Sequence, residues 1–79
     1  MDCKAIEQRL RQQFPDARID VSSGDNVHFT AKVVDAGFEG LSRIQRHRLI
    51  HNAIGEAMGR EIHALSMQLL TPDQAEGSA

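Results

Sequence analysis

The chain of 79 residues is long enough for one small domain and too short for two hydrophobic cores. Its 41% hydrophobic residues, 25% charged residues and net charge of −2 exclude a disordered chain and a polybasic nucleic-acid-binding arm. The single cysteine, Cys3, has no partner for an internal disulfide, and the first residues lack the apolar run of a signal peptide or membrane span. We therefore expect a cytoplasmic protein with no membrane segment.

The first part of the chain predicts a helix followed by a β-hairpin. Asp2 can cap a helix whose apolar residues recur at helical spacing. These residues are Cys3, Ile6, Leu10 and Phe14. Two runs with strand-like alternation, at residues 19–21 and 28–33, flank the turn-forming segment 22–26. We expect an antiparallel hairpin with a polar tip.

The middle of the chain predicts a loop and a long helix. Phe38 anchors a loop between two glycines, and the Ser-x-x-Gln pattern that begins at Ser42 is a capping box. The helix should run to about Met58, with Gly55 splitting or bending it and Gly59 ending it. Its predicted apolar stripe consists of Ile44, Ile50, Ala53, Ile54, Ala57 and Met58.

The last part predicts a third strand over residues 62–70, with His63, Leu65, Met67 and Leu69 on one side. Thr71 and Pro72 then start a final helical turn. The resulting order, α-β-β-α(α)-β-α, is an α+β fold in which helices cover a three-stranded sheet. We expect one domain over residues 1–74 and a flexible C-terminal tail over residues 75–79.

No pattern in the sequence predicts an enzyme. Cys3 lies on the apolar stripe of the first helix, which is typical of a small buried hydrophobic residue and not of a nucleophile. The chain has no phosphate-binding glycine loop and no CxxC pair.

The histidines are the candidate metal ligands. His47 and His51 have the spacing of two ligands on one helix face, but the glutamate and third ligand of a zinc protease motif are missing, which favours structural histidines. His28 begins the second strand beside the hairpin loop, and His63 opens the third. Either histidine alone is more often structural, and both together would bind iron or zinc if the strand ends converge. Spacing alone leaves that convergence open.

Basic residues concentrate in the long helix. Residues 42–60 contain four arginines and one glutamate, a local charge of +3, so the rest of the chain carries −5. A helix that carries Arg46, His47 and Arg48 presents either an ordinary solvated face or a surface for phosphates or an acidic partner.

Four ordered blocks of the sequence resemble the BolA family. They are residues 38–42 (FEGLS), 45–49 (QRHRL), 62–66 (IHALS) and 71–74 (TPDQ). Residues 24–29 (GDNVHF) also resemble the short bacterial members of the IbaG type. The resemblance covers about residues 1–74 and implies the α-β-β-α-α-β fold called class II KH-like, which agrees with the order of elements above.

The resemblance implies binding and not catalysis. BolA-like proteins pair with a monothiol glutaredoxin, and the heterodimer is expected to hold a [2Fe-2S] cluster through the glutaredoxin cysteine, glutathione and histidine of the BolA side. His63 matches the family's C-terminal ligand histidine. The second ligand position, in or beside the hairpin loop, corresponds to His28, and Asp25 is the alternative occupant of that place.

The resemblance also implies an alternative function, a DNA-binding transcriptional or stress regulator. Arg43, Arg46, His47 and Arg48 would then form the surface that faces nucleic acid or a protein partner. The glycine-flanked basic loop with which KH domains clamp a nucleic-acid backbone is not recognisable in this sequence.

Overall fold

The computed structural model describes residues 2–58 and 64–77. Its three helices are α1 (Cys3–Gln13), α2 (Arg43–Ile54) and α3 (Pro72–Gly77). Its three strands are β1 (Arg18–Ser22), β2 (His28–Val34) and β3 (Ala64–Leu70). Short 3₁₀ turns lie at Ala36–Phe38 and Gly55–Ala57. None of the helices in the described parts of the chain is long and apolar enough to cross a membrane.

The strands form one mixed sheet in the order β1-β2-β3. β1 and β2 are the antiparallel hairpin that the sequence predicts, with Arg18 opposite Val34. β3 lies parallel to β2, with His28 opposite Ala64 and Val34 opposite Leu70. A parallel pair needs a crossover connection, which α2 supplies here. The predicted α+β fold with a three-stranded sheet is confirmed.

The core forms between the helices and one face of the sheet. Alternation along β2 buries Phe29, Ala31 and Val33 and exposes the residues between them. The helices contribute fully buried side chains, and the loop before α2 adds one more. These side chains are Ile6, Leu10, Ile50, Ile54 and Phe38. The phenyl ring of Phe38 lies 5.5 Å from that of Phe14, centroid to centroid. Phe38 is therefore the anchored loop aromatic that the sequence predicts.

The predicted helix starts are confirmed at the level of individual hydrogen bonds. The carboxylate of Asp2 accepts from the backbone N–H of Ala5 at 2.9 Å. The Ser42 hydroxyl accepts from the N–H of Gln45, and the Gln45 side chain accepts from the N–H of Ser42 at 2.8 Å. Each cap satisfies amide donors that have no partner within the helix.

The predicted split of the long helix at Gly55 is confirmed, and one residue of its predicted apolar stripe is wrong. α2 ends at Ile54 because Gly55 has φ +75°, and the chain then continues to Ala57 as a 3₁₀ turn. Ile44 is not part of the apolar stripe, since 65% of it is exposed. At 100° per residue, Ile44 lies about 120° around the helix from the fully buried Ile50. The predicted stop at Gly59 lies outside the described residues.

The C-terminal elements agree with the sequence where the structure describes them. Leu65, Met67 and Leu69 share the inward face of β3, as the alternation predicts. The predicted first residues of this strand, at positions 62 and 63, lie outside the described residues. α3 continues to Gly77 and so includes residues 75–77, which the sequence assigns to the tail.

Candidate metal-ligating loop and basic cleft

The loop between β1 and β2 is organised by two short polar side chains. The Ser23 hydroxyl donates to the backbone carbonyl of His28 at 2.6 Å and accepts from the N–H of Asn26 at 2.9 Å. Asn26 has φ +58°, a conformation that asparagine tolerates better than most residues. Oδ1 of Asp25 accepts from the N–H groups of Val27 and His28, both at 2.9 Å. These bonds fix the backbone where β2 begins.

The same aspartate also holds the imidazole ring of His28. Oδ2 of Asp25 lies 2.9 Å from Nδ1 of His28. The hydrogen bond from the His28 side chain, followed by those from the backbone N–H groups of His28 and Val27, lowers the pKa of Asp25 well below its usual range. Asp25 is therefore ionised at neutral pH and acts only as a hydrogen-bond acceptor.

This pairing determines which nitrogen of His28 is available. Because an ionised carboxylate accepts only, Nδ1 of His28 carries the hydrogen, and the neutral ring keeps its lone pair on Nε2. The His28 side chain is 69% exposed. Nε2 is therefore accessible from solvent in an orientation that the carboxylate holds, the arrangement usual for metal-ligating histidines.

The sheet register brings His28 beside the start of β3. Its partner across the parallel ladder is Ala64, the residue that directly follows His63 in the sequence. His63 itself lies outside the described residues. Within residues 2–58 and 64–77, no three His, Cys, Asp or Glu side chains are grouped closely enough to hold a metal ion.

The two helical histidines occupy different environments. His47 is half-buried and lines a cleft beside β3, whereas His51 is exposed. Among the described residues, no third His, Cys, Asp or Glu side chain joins them in a group that could hold a metal ion. Cys3 is a free thiol, half-buried against the core, as its place on the apolar stripe predicts.

Arg46 is the most extensively bonded of the candidate basic residues. Its Nε donates to the carbonyl of Leu41 at 3.1 Å, and its Nη1 donates to the carbonyl of Leu69 at 2.9 Å and to Oε1 of Gln74 at 2.8 Å. Its guanidinium carbon also lies 5.8 Å from the centre of the Phe38 ring. Arg46 therefore connects α2, β3 and α3 within the fold.

Gln74 belongs to a second capping box, at the start of α3. Its N–H donates to the Thr71 hydroxyl at 3.2 Å, and its Oε1 accepts from the N–H of Thr71 at 3.0 Å. The features predicted from the sequence do not include this second box, although the Thr-x-x-Gln spacing indicates it in the same way as Ser42 and Gln45 do. Nor do they include the pairing of Asp25 with His28, which a turn-forming aspartate three residues before a strand indicates.

Arg46 and His47 line a cleft of about 420 Å³ between α2, β3 and α3. Its other lining residues are Leu41, Arg43, Met67, Gln68, Leu69, Leu70 and Gln74. Arg43 and Arg48 are exposed, and Arg48 does not line the cleft. The four candidate basic residues therefore differ in their surroundings. Arg46 is hydrogen-bonded within the fold, Arg43 and His47 line the same cleft, and Arg48 lies outside it.

The basic cleft and His28 lie at different positions along the sheet. Ala64, opposite His28, and Met67, the β3 residue of the cleft nearest to it, are three positions apart, which corresponds to about 10 Å along a strand. The candidate metal ligand and the candidate basic surface are therefore separate sites.

The described residues form a small α+β fold that carries an oriented surface histidine and a separate basic cleft. The sequence model of the family described as BolA-like protein matches residues 6–74. The chain belongs to the BolA-like family.

Known relatives agree with this assignment. Human BolA-like protein 1 is 50% identical over 54 residues, which are 68% of this chain and 39% of the human protein. The DNA-binding transcriptional regulator BolA of Haemophilus influenzae is 28% identical over 78 residues, with 87% of this chain and 76% of that protein covered. The structure of a BolA homologue from Coxiella burnetii matches with a TM-score of 0.81 and 38% identity, over 96% of this chain and 97% of that one. The chain thus spans about two fifths of the human relative.

Proposed function

We propose that this chain is a non-enzymatic accessory protein that pairs with a monothiol glutaredoxin. Together with the glutaredoxin and glutathione, it would hold a [2Fe-2S] cluster for trafficking or iron regulation. Membership of the BolA-like family supports this proposal. The observation that carries it is the accessible, carboxylate-oriented Nε2 of His28 next to Ala64, the residue that follows His63.

The two proposed histidine ligands fit a cluster that this chain would share with a partner protein. His63 directly precedes Ala64 in the sequence, and Ala64 is the residue opposite His28 in the sheet. Two imidazoles are too few to bind a cluster with four ligand positions, and the remaining ligands would come from the partner and glutathione. The bound cluster would supply a transferable iron-sulfur unit. Imidazole is a weaker ligand than thiolate, which favours release over permanent storage.

The hydrogen bonds of the loop favour His28 over Asp25 as the second ligand. Both carboxylate oxygens of Asp25 already accept bonds, from the backbone of Val27 and His28 and from the imidazole of His28. Ligation by Asp25 would have to replace these bonds, whereas ligation through Nε2 of His28 keeps all of them. We therefore assign Asp25 as the residue that orients the ligand.

The test is to add the chain to a glutaredoxin homodimer that carries a [2Fe-2S] cluster and glutathione. We expect a new visible circular dichroism spectrum and, after reduction, nitrogen couplings from histidine in pulsed electron paramagnetic resonance. His63→Ala and His28→Ala should each remove the coupling of the substituted histidine, and the double variant should remove both. His47→Ala and His51→Ala are matched controls that should keep them. An unchanged homodimer spectrum with the wild-type chain would contradict the proposal.

A second candidate function is DNA binding, favoured by the name of the Haemophilus relative and by the exposed Arg43 and Arg48. Because phosphate contacts release counterions, binding of this kind should weaken steeply with salt. Fluorescence anisotropy with a labelled duplex can measure it at 50 and 200 mM salt. The Arg48→Ala variant should weaken binding and reduce the salt slope. No binding at low salt would eliminate this candidate.

A further inference from the structure

β3 is an edge strand with an unusual composition. It lies at one side of the sheet, and its seven residues include no charged side chain. The other edge strand, β1, carries Arg18 and Asp20. Charged residues on an edge discourage pairing with another chain, so β3 is the edge less protected against strand addition.

The register shows which backbone groups face outward from β3. The N–H of Asp35 donates to the carbonyl of Leu70 at 3.0 Å, which continues the ladder between β2 and β3. In a parallel ladder, alternate residues direct both backbone groups to the same neighbour. Ser66, Gln68 and Leu70 therefore face β2, and Leu65, Met67 and Leu69 face the outer edge. The described residues offer the outer groups of Leu65 and Met67 no hydrogen-bond partner.

The basic cleft runs along this outer edge. Met67, whose side chain faces the core, and Gln68, whose side chain faces the opposite side of the sheet, both line it. Because these neighbouring residues point to opposite faces, a cavity lined by both lies along the strand edge and not over one face of the sheet. Its other wall is the start of α2, including Leu41 and Arg43.

Arginine residues give the cleft its positive charge and also determine how far along β3 an added strand could pair. The described lining of the cleft contains Arg43, Arg46 and His47 and no Asp or Glu. Arg46 donates to the outward carbonyl of Leu69, so that carbonyl is already bonded. Pairing by an added strand would therefore extend along Leu65 and Met67 and stop where the positive charge begins.

We infer that β3 is a docking edge for an extended, acidic segment of a partner protein. The segment adds as a fourth strand beside β3, bonds the outward N–H and C=O groups of Leu65 and Met67, and places carboxylates beside Arg43. Charge complementarity with a cleft lined by basic residues selects an acidic occupant. The hydrogen bonds of this docking edge come from Leu65 and Met67 and not from His28 or His63, and the inference does not rest on the iron-sulfur proposal.

The test uses a synthetic peptide of alternating valine and glutamate, seven residues long with blocked ends, and amide NMR spectra of the full chain. The N–H signals of Leu65 and Met67 should shift and become protected from exchange. Those of Ser66 and Gln68, which already face β2, should change much less. The same peptide N-methylated at alternate residues on its pairing edge should not bind.

Two charge-reversal variants on α2 distinguish docking of the peptide in the cleft from nonspecific electrostatic attraction to the helix. Arg43→Glu should weaken peptide binding roughly fivefold. Arg48→Glu makes the same change outside the cleft and should leave the affinity within about twofold. Equal weakening by both variants would overturn the inference. Protection of the Leu65 and Met67 amides that rises with protein concentration in the absence of peptide would also overturn it, because it would indicate pairing with a second copy of the chain. Protection of these amides by an oligothymidylate and not by the peptide would overturn it as well.

Discussion

Nη1 of Arg46 lies 2.8 Å from Oε1 of Gln74, a residue 28 positions further along the chain. The same guanidinium group donates to the carbonyls of Leu41 and Leu69. One side chain therefore joins the loop before α2, the outer edge of β3 and the cap of α3. Its charge suggests a surface for partners, but its hydrogen bonds make it a structural residue.

Replacing Arg46 should destabilise the protein. Arg46→Ala leaves the carbonyls of Leu41 and Leu69 without their donor, and we expect a loss of about 1–3 kcal/mol in the free energy of unfolding. Arg46→Lys should recover only part of it, since one ammonium group cannot reproduce the planar fork. Urea unfolding measures the effect. Arg43→Ala and Arg48→Ala, at exposed positions on the same helix, should stay within about 0.5 kcal/mol of wild type. An Arg46→Ala variant as stable as these controls would contradict the structural role.

Gln74 should determine whether α3 stays formed. Gln74→Ala removes the acceptor for the N–H of Thr71 and for Arg46, so amide exchange at Ala75, whose N–H donates to the carbonyl of Thr71, should become faster. We expect a cost of about 1 kcal/mol, as for the loss of a helix cap. Gln74→Glu keeps an oxygen acceptor and should preserve the exchange rate. Equal exchange rates in the alanine and glutamate variants would contradict this account.

The sequence predicts local features of this fold well because their physical causes are local. The capping box of Ser42 and Gln45 and the alternation of β2 each depend on residues a few positions apart. The role of Arg46 could not be predicted in this way, because its acceptor at Leu69 is brought close only when β3 pairs with β2 and α2 packs beside it. The same holds for the position of His28 opposite Ala64, which depends on the register of a parallel pair.

Ile44 shows that an apolar residue assigned to the buried stripe of a helix from sequence can still be exposed. Its substitution tests this exposure directly. Its side chain is 65% exposed, whereas Ile50 is fully buried on the same helix. Ile44→Ala should change the free energy of unfolding by no more than about 0.5 kcal/mol. Ile50→Ala leaves a cavity in the core and should cost about 2–5 kcal/mol. Similar costs at both positions, measured by urea unfolding, would mean that Ile44 is buried after all.

The hydrogen bond between Asp25 and His28 should appear in the pH dependence of stability. The depressed pKa of Asp25 means that the unfolded chain binds more protons than the folded chain at acidic pH. The stabilisation is complete above the unfolded pKa of about 3.9 and is lost as the pH falls below it. Between about pH 5 and pH 2, wild type should therefore lose stability more steeply than Asp25→Asn. Both side chains are exposed, so the difference should be small.

Urea unfolding at a series of pH values gives this comparison. Asp20→Asn removes another exposed carboxyl group, on β1, and serves as the matched control. The Asp20 variant should follow the wild-type slope. If Asp25→Asn follows it as well, the bond between Asp25 and His28 does not persist in solution.

Gly55 ends α2 with a backbone conformation that only glycine adopts readily, at φ +75° and ψ −141°. An added Cβ would meet only Nη1 of Arg9, at an ordinary contact distance of 3.9 Å. The cost of Gly55→Ala should therefore come from backbone strain and not from a clash, and we expect about 1–3 kcal/mol by urea unfolding. Gly24→Ala is the matched control, because a Cβ there meets nothing within 4 Å and its φ is not positive. If both variants unfold at the same urea concentration, the helix ends for a reason other than the conformation of Gly55.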